Sequence, residues 1–458
     1  MNQEAAYSDS GEGKRKNGTP LSTGVSLKRR TVESAVTVAG GQFLSQIIRF
    51  AANLVLTRLI APDIFGMMAL IQTVVIGANM FSDMGVGANI INHKRGGEAL
   101  FINTVWTVSV IRGFLLWLII AVVSYPVSLA WGQTELTPMI IVVGLSYAIL
   151  PFESPGMRVL CRNVQNIRPM AEEIITQLVS TSFIIITAYF WPSVWVLVIA
   201  SLVRAFVHVG MTFAMWPGYK VWFAWDKTAI HDILHFGVWI FLSSGVAWIL
   251  GYADKAILGG LVTLEEIGIY SIAFGLASMG IQIINKLGNN TLFPVYSRLA
   301  DRGEDELRYG TFKIRFGILA ATLPAVWVLA IFGEQIIELL YPEKYYEAGW
   351  MLRLVAIGAV GMVVNQTAAS VLLAKRDSKR YMTMQCYRAV IYLCGVIAGG
   401  ITAGLEGVII GMIIAQWSEY PILVWAIRPH KVWLPGLDLS AFAISAAVIA
   451  LGRFFISA

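Results

Sequence analysis

From residue 35 to residue 456 the chain is a succession of apolar runs joined by short polar segments. A hydrocarbon core about 30 Å thick is crossed by about 20 helical residues. Inside it, a helix satisfies every backbone N–H and C=O within its own segment. The sequence therefore predicts an all-α polytopic membrane protein. About thirteen runs qualify: 35–60, 65–91, 101–124, 137–157, 170–191, 193–215, 232–258, 266–294, 314–340, 349–374, 380–402, 405–427 and 438–456. Only 14% of the residues are charged, against about 25% in a soluble protein. The joints leave no room for a soluble catalytic domain.

Residues 1–34 are polar, rich in Gly, Ser and Lys, and lack the apolar core of a signal peptide. They read as a disordered basic tail. Lys and Arg gather in that tail and in every second loop: Lys94-Arg95, Arg158 to Arg168, Lys220 and Lys227, Arg298 to Arg315, Lys375 to Arg380, Arg428 and Lys431. Positive residues stay cytoplasmic, which puts the N-terminus inside. The net charge of +6 needs no nucleic-acid partner to explain it. Cys161, Cys386 and Cys394 have no metal-ligand spacing and read as small packing residues. No metal or cofactor is expected.

The chain repeats itself. Leu59-Ile60-Ala61-Pro62-Asp63-Ile64-Phe65-Gly66 returns as Leu261-Val262-Thr263-Leu264-Glu265-Glu266-Ile267-Gly268, each in the outer turn after a span. Six spans separate the copies, so the halves are parallel repeats about an axis along the membrane normal. The expected organisation is one six-helix lobe over 35–216, a cytoplasmic linker over 217–231, a second six-helix lobe over 232–427 and a candidate thirteenth span at 438–456.

The same offset aligns polar stripes. Gln42, Gln46, Arg49 and Asn53 share one helical face; Ser244, Trp248, Gly251 and Lys255 occupy the matching positions. Ser278, Gln282, Asn285 and Asn289 repeat the spacing beside Lys286, and Gln72, Asn79 and Asp83 share a face of the second span. Lipid cannot satisfy such groups. They are either interhelical hydrogen-bond glue or the lining of a water-filled cavity, and the length of the stripes favours the cavity.

Most of the deep ionisable residues are basic. Arg49, Lys255 and Lys286 lie on or beside stripes, and Arg112, Arg204 and Arg388 are weaker cationic candidates. Asp83, Glu153 and Asp254 are the main acidic counterparts. Intramembrane charges face a partner or a wet cavity, and a cavity biased towards cations suits an anionic cargo. Arg in particular offers planar multidentate donors to phosphate. Each cation has pairing with a carboxylate, or snorkelling to an interface, as its alternative. Glu153 either titrates in a proton-coupled cycle or pairs with a neighbouring Arg, and Pro151 and Pro155 around it predict a bend. Trp248 and Tyr252 either stack on sugar rings or pack. His208, His231 and His235 read as ordinary residues of helix ends.

Several stretches carry a family resemblance. Thr57 to Gly66, Ser82-Asp83-Met84-Gly85-Val86-Gly87, Ala253-Asp254-Lys255-Ala256-Ile257-Leu258-Gly259 with Glu266 to Ala273, and Phe293-Pro294-Val295-Tyr296-Ser297-Arg298-Leu299 occur in order across 35–427. They resemble motifs of the Wzx-type oligosaccharide flippases of the MATE-like (multidrug/oligosaccharidyl-lipid/polysaccharide) superfamily. The resemblance implies two six-helix lobes in a V that opens alternately to either side. It implies an undecaprenyl-diphosphate-linked oligosaccharide as cargo, the bacterial inner membrane as location, and membrane lipids with polysaccharide polymerase or export proteins as partners. The long tail and the thirteenth span depart from the common twelve-helix pattern. Two rivals stand beside it. A drug or cation exporter of the same fold wants carboxylates and aromatics in its cavity, and a membrane-embedded polysaccharide-assembly enzyme wants a carboxylate pair or a large extramembrane region. No Gly-x-x-x-x-Gly-Lys-Ser/Thr stretch is present, so ATP does not drive movement through such a loop.

Overall fold

The computed structural model describes residues 27–82, 90, 93, 95–163, 165–215, 220–287, 296, 299, 303–375 and 377–457. Helix occupies each of the thirteen expected stretches within them. The helices are α1 (Leu27–Leu59), α2 (Pro62–Ser82), α3 (Ala99–Ala130), α4 (Leu136–Ile149), the short α5 (Gly156–Arg162), α6 (Ile167–Phe190) and α7 (Val194–Met215). They continue with α8 (Lys227–Leu258), α9 (Leu264–Leu287), α10 (Glu304–Leu340), α11 (Ala348–Ala374), α12 (Ser378–Ser418), α13 (Tyr420–Ile427) and α14 (Pro435–Ser457). Among the described residues eight segments meet a strict length-and-hydropathy test for crossing a membrane, or nine when the bent α4–α5 pair is included. The bend expected at Pro151 and Pro155 is there, at 65°.

Helix starts follow local chemistry. Asp226 caps α8 by accepting from the Thr228 amide at 2.9 Å, and Asp377 caps α12 by accepting from the Arg380 amide at 3.1 Å. Thr263 and Glu266 form a reciprocal capping box at the start of α9. α12 is a hairpin rather than one rod. Ala403 and Gly404 leave the helical region, Gly404 at φ +55°, where a glycine is tolerated and most residues are strained. Gly399 abuts the Gly407 backbone and Gly395 abuts that of Gly411. In a straight helix residues 395 and 411 would stand about 24 Å apart. The turn thus falls between the expected spans 380–402 and 405–427.

The two copies of the repeat touch each other. A β-carbon on Gly66 would overlap the Leu264 carbonyl, and one on Gly268 would overlap the Pro62 carbonyl. Both contacts map onto each other by one offset, 66 to 268 and 62 to 264, which is 202 residues. Reciprocal contacts of this kind are what a twofold relation produces. Around this glycine clasp the halves are tied further. Lys344 Nζ donates to the Ile60 carbonyl at 2.7 Å, Tyr341 Oη to Asn53 Oδ1 at 3.1 Å and Trp131 Nε1 to the Ala256 carbonyl at 2.9 Å. Phe65 meets Tyr345 edge-on at 6.1 Å.

Away from the clasp, the segment 220–226 straps the start of α8 to α3. The Trp222 amide donates to Asn103 Oδ1 at 3.1 Å and the Ala224 amide to Thr107 Oγ1 at 3.0 Å. Thr107 lies about 12 Å along α3 from Ala99, so irregular backbone reaches past the helix end. It is tolerated because the protein satisfies it. Arg95 then pairs with Asp226 at 2.7 Å. Hydrogen bonds from Thr228 and Arg95 hold the Asp226 carboxyl down at about 2.

The last helix, α14, is locked onto α10 and α11. Arg315 donates to Asp438 at 2.6 Å and both side chains are wholly buried; Trp327 Nε1 donates to Ser445 at 2.9 Å. Leu439, Ile444, Leu451 and Phe455 face outward from it.

Candidate functional site

Among the described residues, polar groups line open space in the first half, where α6 and α7 meet α1, α2 and the α4–α5 elbow. On α7, Ser201, Arg204, His208 and Thr212 recur at spacings of 3, 4 and 4, one helical face. On α6, Glu172, Thr176 and Ser180 form one file and Glu173, Gln177 and Thr181 an adjacent one. The files are internally bonded: Thr176 donates to Glu172 at 2.8 Å and Gln177 to Thr181 at 3.1 Å.

Two cavities share these walls. The first, about 260 Å³, is lined by Glu153, Arg158, Glu172, Glu173, Arg204 and His208. His208 sits between two carboxylates, 2.8 Å from Glu153 through Nε2 and 2.8 Å from Glu172 through Nδ1. Arg158 also reaches Glu153, at 3.2 Å. The second cavity, about 370 Å³, lies towards the clasp. Asn53, Gln72, Gln177, Ser201, Arg204 and Ser271 supply much of its polar lining, and Ile184, Leu197 and Met68 are among its apolar walls. Ser271 is on α9, so the second half contributes. Arg204 borders both cavities and donates to Gln177 at 2.9 Å. Arg49 lies near enough for the two guanidinium charges to act on each other. Among the described residues neither has a carboxylate partner in hydrogen-bonding range. Arg49 donates to Ser45 at 3.2 Å.

The structure sorts the expected site residues into groups. Asn53 and Arg204 line the second cavity, with Gln72 of the α2 stripe beside them. Gln42 donates to Glu173 at 2.9 Å, at the border of the first cavity, and Gln46 lies half-buried on the same helix. Lys255 is a correction. Its Nζ is 3.2 Å from the wholly buried Asp254 and 4.0 Å from the Phe274 ring centre, and Asp254 also accepts from Tyr270 at 2.6 Å. Lys255 answers a buried charge and lines neither of these two cavities. Arg388 is likewise paired with Glu419 at 2.8 Å, both buried. Arg112 donates to Asn79 and Ser82 of α2. Trp248 donates to the Thr73 carbonyl at 3.1 Å and tilts against Phe81, so it packs α8 onto α2, and it lines neither of these two cavities. Asp83 lies outside the described residues. Gln282, Asn285 and Lys286 fall on α9, and their side chains lie outside the described ones.

Two expectations change with this geometry. The first cavity is not cation-lined; it holds more carboxylates than guanidiniums. His208 is no ordinary end residue but the centre of a carboxylate pair. Glu172, Glu173 and Gln177 were missed altogether. Their 4-residue spacing was available in the fifth span, but only stripes in the first two spans of each half were aligned by the repeat.

The polysaccharide biosynthesis protein family matches residues 55–350 of the chain. The lipopolysaccharide biosynthesis protein WzxC of Escherichia coli (strain K12) is 20% identical over 438 residues, 93% of this chain and 88% of that protein. An inward-facing multidrug resistance MATE family transporter of the MOP superfamily superposes with a TM-score of 0.66 at 15% identity, covering 92% of this chain and 99% of the other. The lipid II flippase MurJ in an inward closed conformation superposes at 0.65 and 14% identity, covering 93% and 98%. At these identities the two structures speak for the fold alone.

Proposed function

The chain belongs to the polysaccharide biosynthesis protein family as a Wzx-type flippase, and from that premise we propose that it carries an undecaprenyl-diphosphate-linked oligosaccharide from the cytoplasmic to the periplasmic leaflet by alternating access. The observation that supports this most is the second cavity. Its polar lining is largely amides and hydroxyls, which both donate and accept as sugar hydroxyls require, and its one lining charge is Arg204. Two nearby guanidiniums, Arg49 and Arg204, neither with a carboxylate in hydrogen-bonding range among the described residues, favour a multivalent anion between them. In this reading they hold the diphosphate, while Asn53, Gln72, Gln177 and Ser201 meet the proximal sugar.

The clasp supports the conformational half of the proposal. In this reading, with the N-terminus cytoplasmic, residues 59–66 and 261–268 lie at the periplasmic face and their contact closes that side. Closing and parting of 35–216 against 232–427 about the glycine contact would expose the cavity to either side in turn.

The carboxylates of the first cavity favour a second reading, export of an organic cation. They are, however, already contacted by Arg158, His208 and Gln42. Reconstitution into vesicles with a fluorescent polyprenyl-diphosphate sugar separates the two. Flipping should proceed, and Arg49→Gln with Arg204→Gln should abolish it. Transport of a drug cation with no movement of the diphosphate lipid would replace the proposal with the second reading.

A further inference from the structure

We propose that Glu153, His208 and Glu172 form a proton-binding site whose occupancy locks the α4–α5 elbow to α6 through α7. The hydrogen-bond pattern itself requires the proton. Nδ1 and Nε2 of His208 each lie 2.8 Å from a carboxylate oxygen. An ionised carboxylate only accepts, and a neutral imidazole has a single N–H. Two such contacts therefore need one proton more than two carboxylates and a neutral ring possess, as an imidazolium or as a carboxyl facing an imine nitrogen. Glu172 accepts from Thr176 as well.

Charge balance in the cavity agrees. Its lining carries the carboxylates of Glu153, Glu172 and Glu173 and the guanidiniums of Arg158 and Arg204; Cys161 is the other titratable group on the wall. Gln42 of α1 donates to Glu173, and Arg49 of α1 acts on Arg204 from outside the lining. Three negative charges against two positive leave the enclosure one short when His208 is neutral. One bound proton makes the lining neutral.

Releasing the proton also changes the mechanics. One ring nitrogen then presents a lone pair to a carboxylate, and that contact turns repulsive. Glu153 sits on the turn of the 65° elbow and Glu172 on α6, so losing the first contact loosens the elbow from α7, where the Ser154 amide still donates to Thr212 at 3.0 Å, and losing the second loosens α7 from α6. The cavity gives water a route to the trio. The chemistry of the site stands without any cargo; only its use in driving transport rests on the flippase reading.

The site and its use are tested separately. Purified protein in nanodiscs, with labelled histidine assigned by the His208→Gln variant, is examined by NMR across pH 5–10. The wild type should show His208 protonated at both ring nitrogens at pH 7, losing one proton as pH rises. Glu172→Gln and Glu153→Gln should each move that transition to lower pH. A neutral, single-tautomer His208 at pH 7 with both Glu153 and Glu172 ionised, or a transition that neither Glu variant moves, overturns the site. Should His208→Gln fail to fold, the two Glu variants assign the same resonance. Vesicles carrying the fluorescent diphosphate sugar then test coupling under an imposed pH gradient. The gradient should change the wild-type rate severalfold and leave the Glu172→Gln rate unaltered. A variant still driven by the gradient, or a wild type indifferent to it, overturns the coupling role. A wild type that moves no diphosphate lipid at all defeats the flippase reading while the NMR result stands.

Discussion

The two halves share a repeat and a fold but spend their buried charges differently. Among the described residues of the second half and the helix after it, three buried cations are closed pairs: Lys255 with Asp254, Arg315 with Asp438, Arg388 with Glu419, each within 3.2 Å and at most 11% exposed at either side chain. In the first half Arg49 and Arg204 are exposed and Glu153, Glu172 and His208 border a cavity. A charge sealed against its partner contributes register and is weak evidence of stability or of function. A charge beside a cavity is available to a ligand. On the proposed function, the described residues put recognition in the first half and scaffolding in the second, and the same type of substitution should therefore do opposite things in each.

The largest effect is expected at Arg315. Removing it leaves Asp438 buried and unpaired, a loss of about 3–5 kcal/mol, so Arg315→Met should sharply lower the thermal midpoint of the detergent-purified protein. The double variant Arg315→Met with Asp438→Leu should recover most of that loss, because apolar replacement of a whole buried pair is often neutral. A single variant as stable as the wild type would break the scaffolding half of the comparison.

Next comes the first half. Arg204→Gln should leave the melting curve in place and cut leaflet exchange by about 10–100-fold, the range of a lost charge-assisted hydrogen bond. Arg49→Gln should behave alike, and the pair should be less than additive if both hold one anion. Arg388→Met, an equally deep arginine, should show the reverse: a destabilised protein with normal exchange per folded molecule.

These two outcomes bear on what the sequence made legible. Helix positions, the elbow at Pro151 and Pro155 and the turn between residues 402 and 405 are functions of local pattern, and they are visible in the order of residues. Arg49, Arg204 and Arg388 look alike in one dimension because each is a basic residue deep in an apolar run. What separates them is Glu419, 31 positions from Arg388 and 2.8 Å away, and no periodicity reports such a contact. Lys255 was drawn towards the cavity by the repeat, which equates it with Asn53. The equivalence of position is sound, but Asp254 next to it in sequence turns the lysine into a counter-ion. His208 was dismissed because its carboxylates come from Glu153 and Glu172, on two other elements.

The clasp sharpens the comparison at the boundary between the halves. Gly66→Val and Gly268→Val each place a side chain where a carbonyl now lies, and overpacking there should cost the closed state about 1–3 kcal/mol. Exchange should fall by about tenfold, and a cysteine pair at residues 62 and 264 should cross-link less readily on that background. Because the two contacts are related by the repeat, the variants should match each other. Unequal effects would show that the halves differ at the hinge as well as in their charges.

The smallest effect is expected at the strap. Asp226→Asn removes a half-buried, water-reached pair with Arg95, and pairs near the surface contribute little, so exchange should change by less than about fivefold. The variant matters for what it excludes. The Asp226 carboxyl is held at about 2, below its ordinary 3.8. A depressed carboxyl contributes fully above its unfolded value, and its contribution fades as pH falls through the folded one. The tie is therefore constant from pH 5 to 8, and Asp226→Asn should leave the shape of the rate profile over that interval unaltered. If it removes a pH dependence there, the proton-sensitive element belongs to the strap between the halves, and His208 loses its place as the group that titrates.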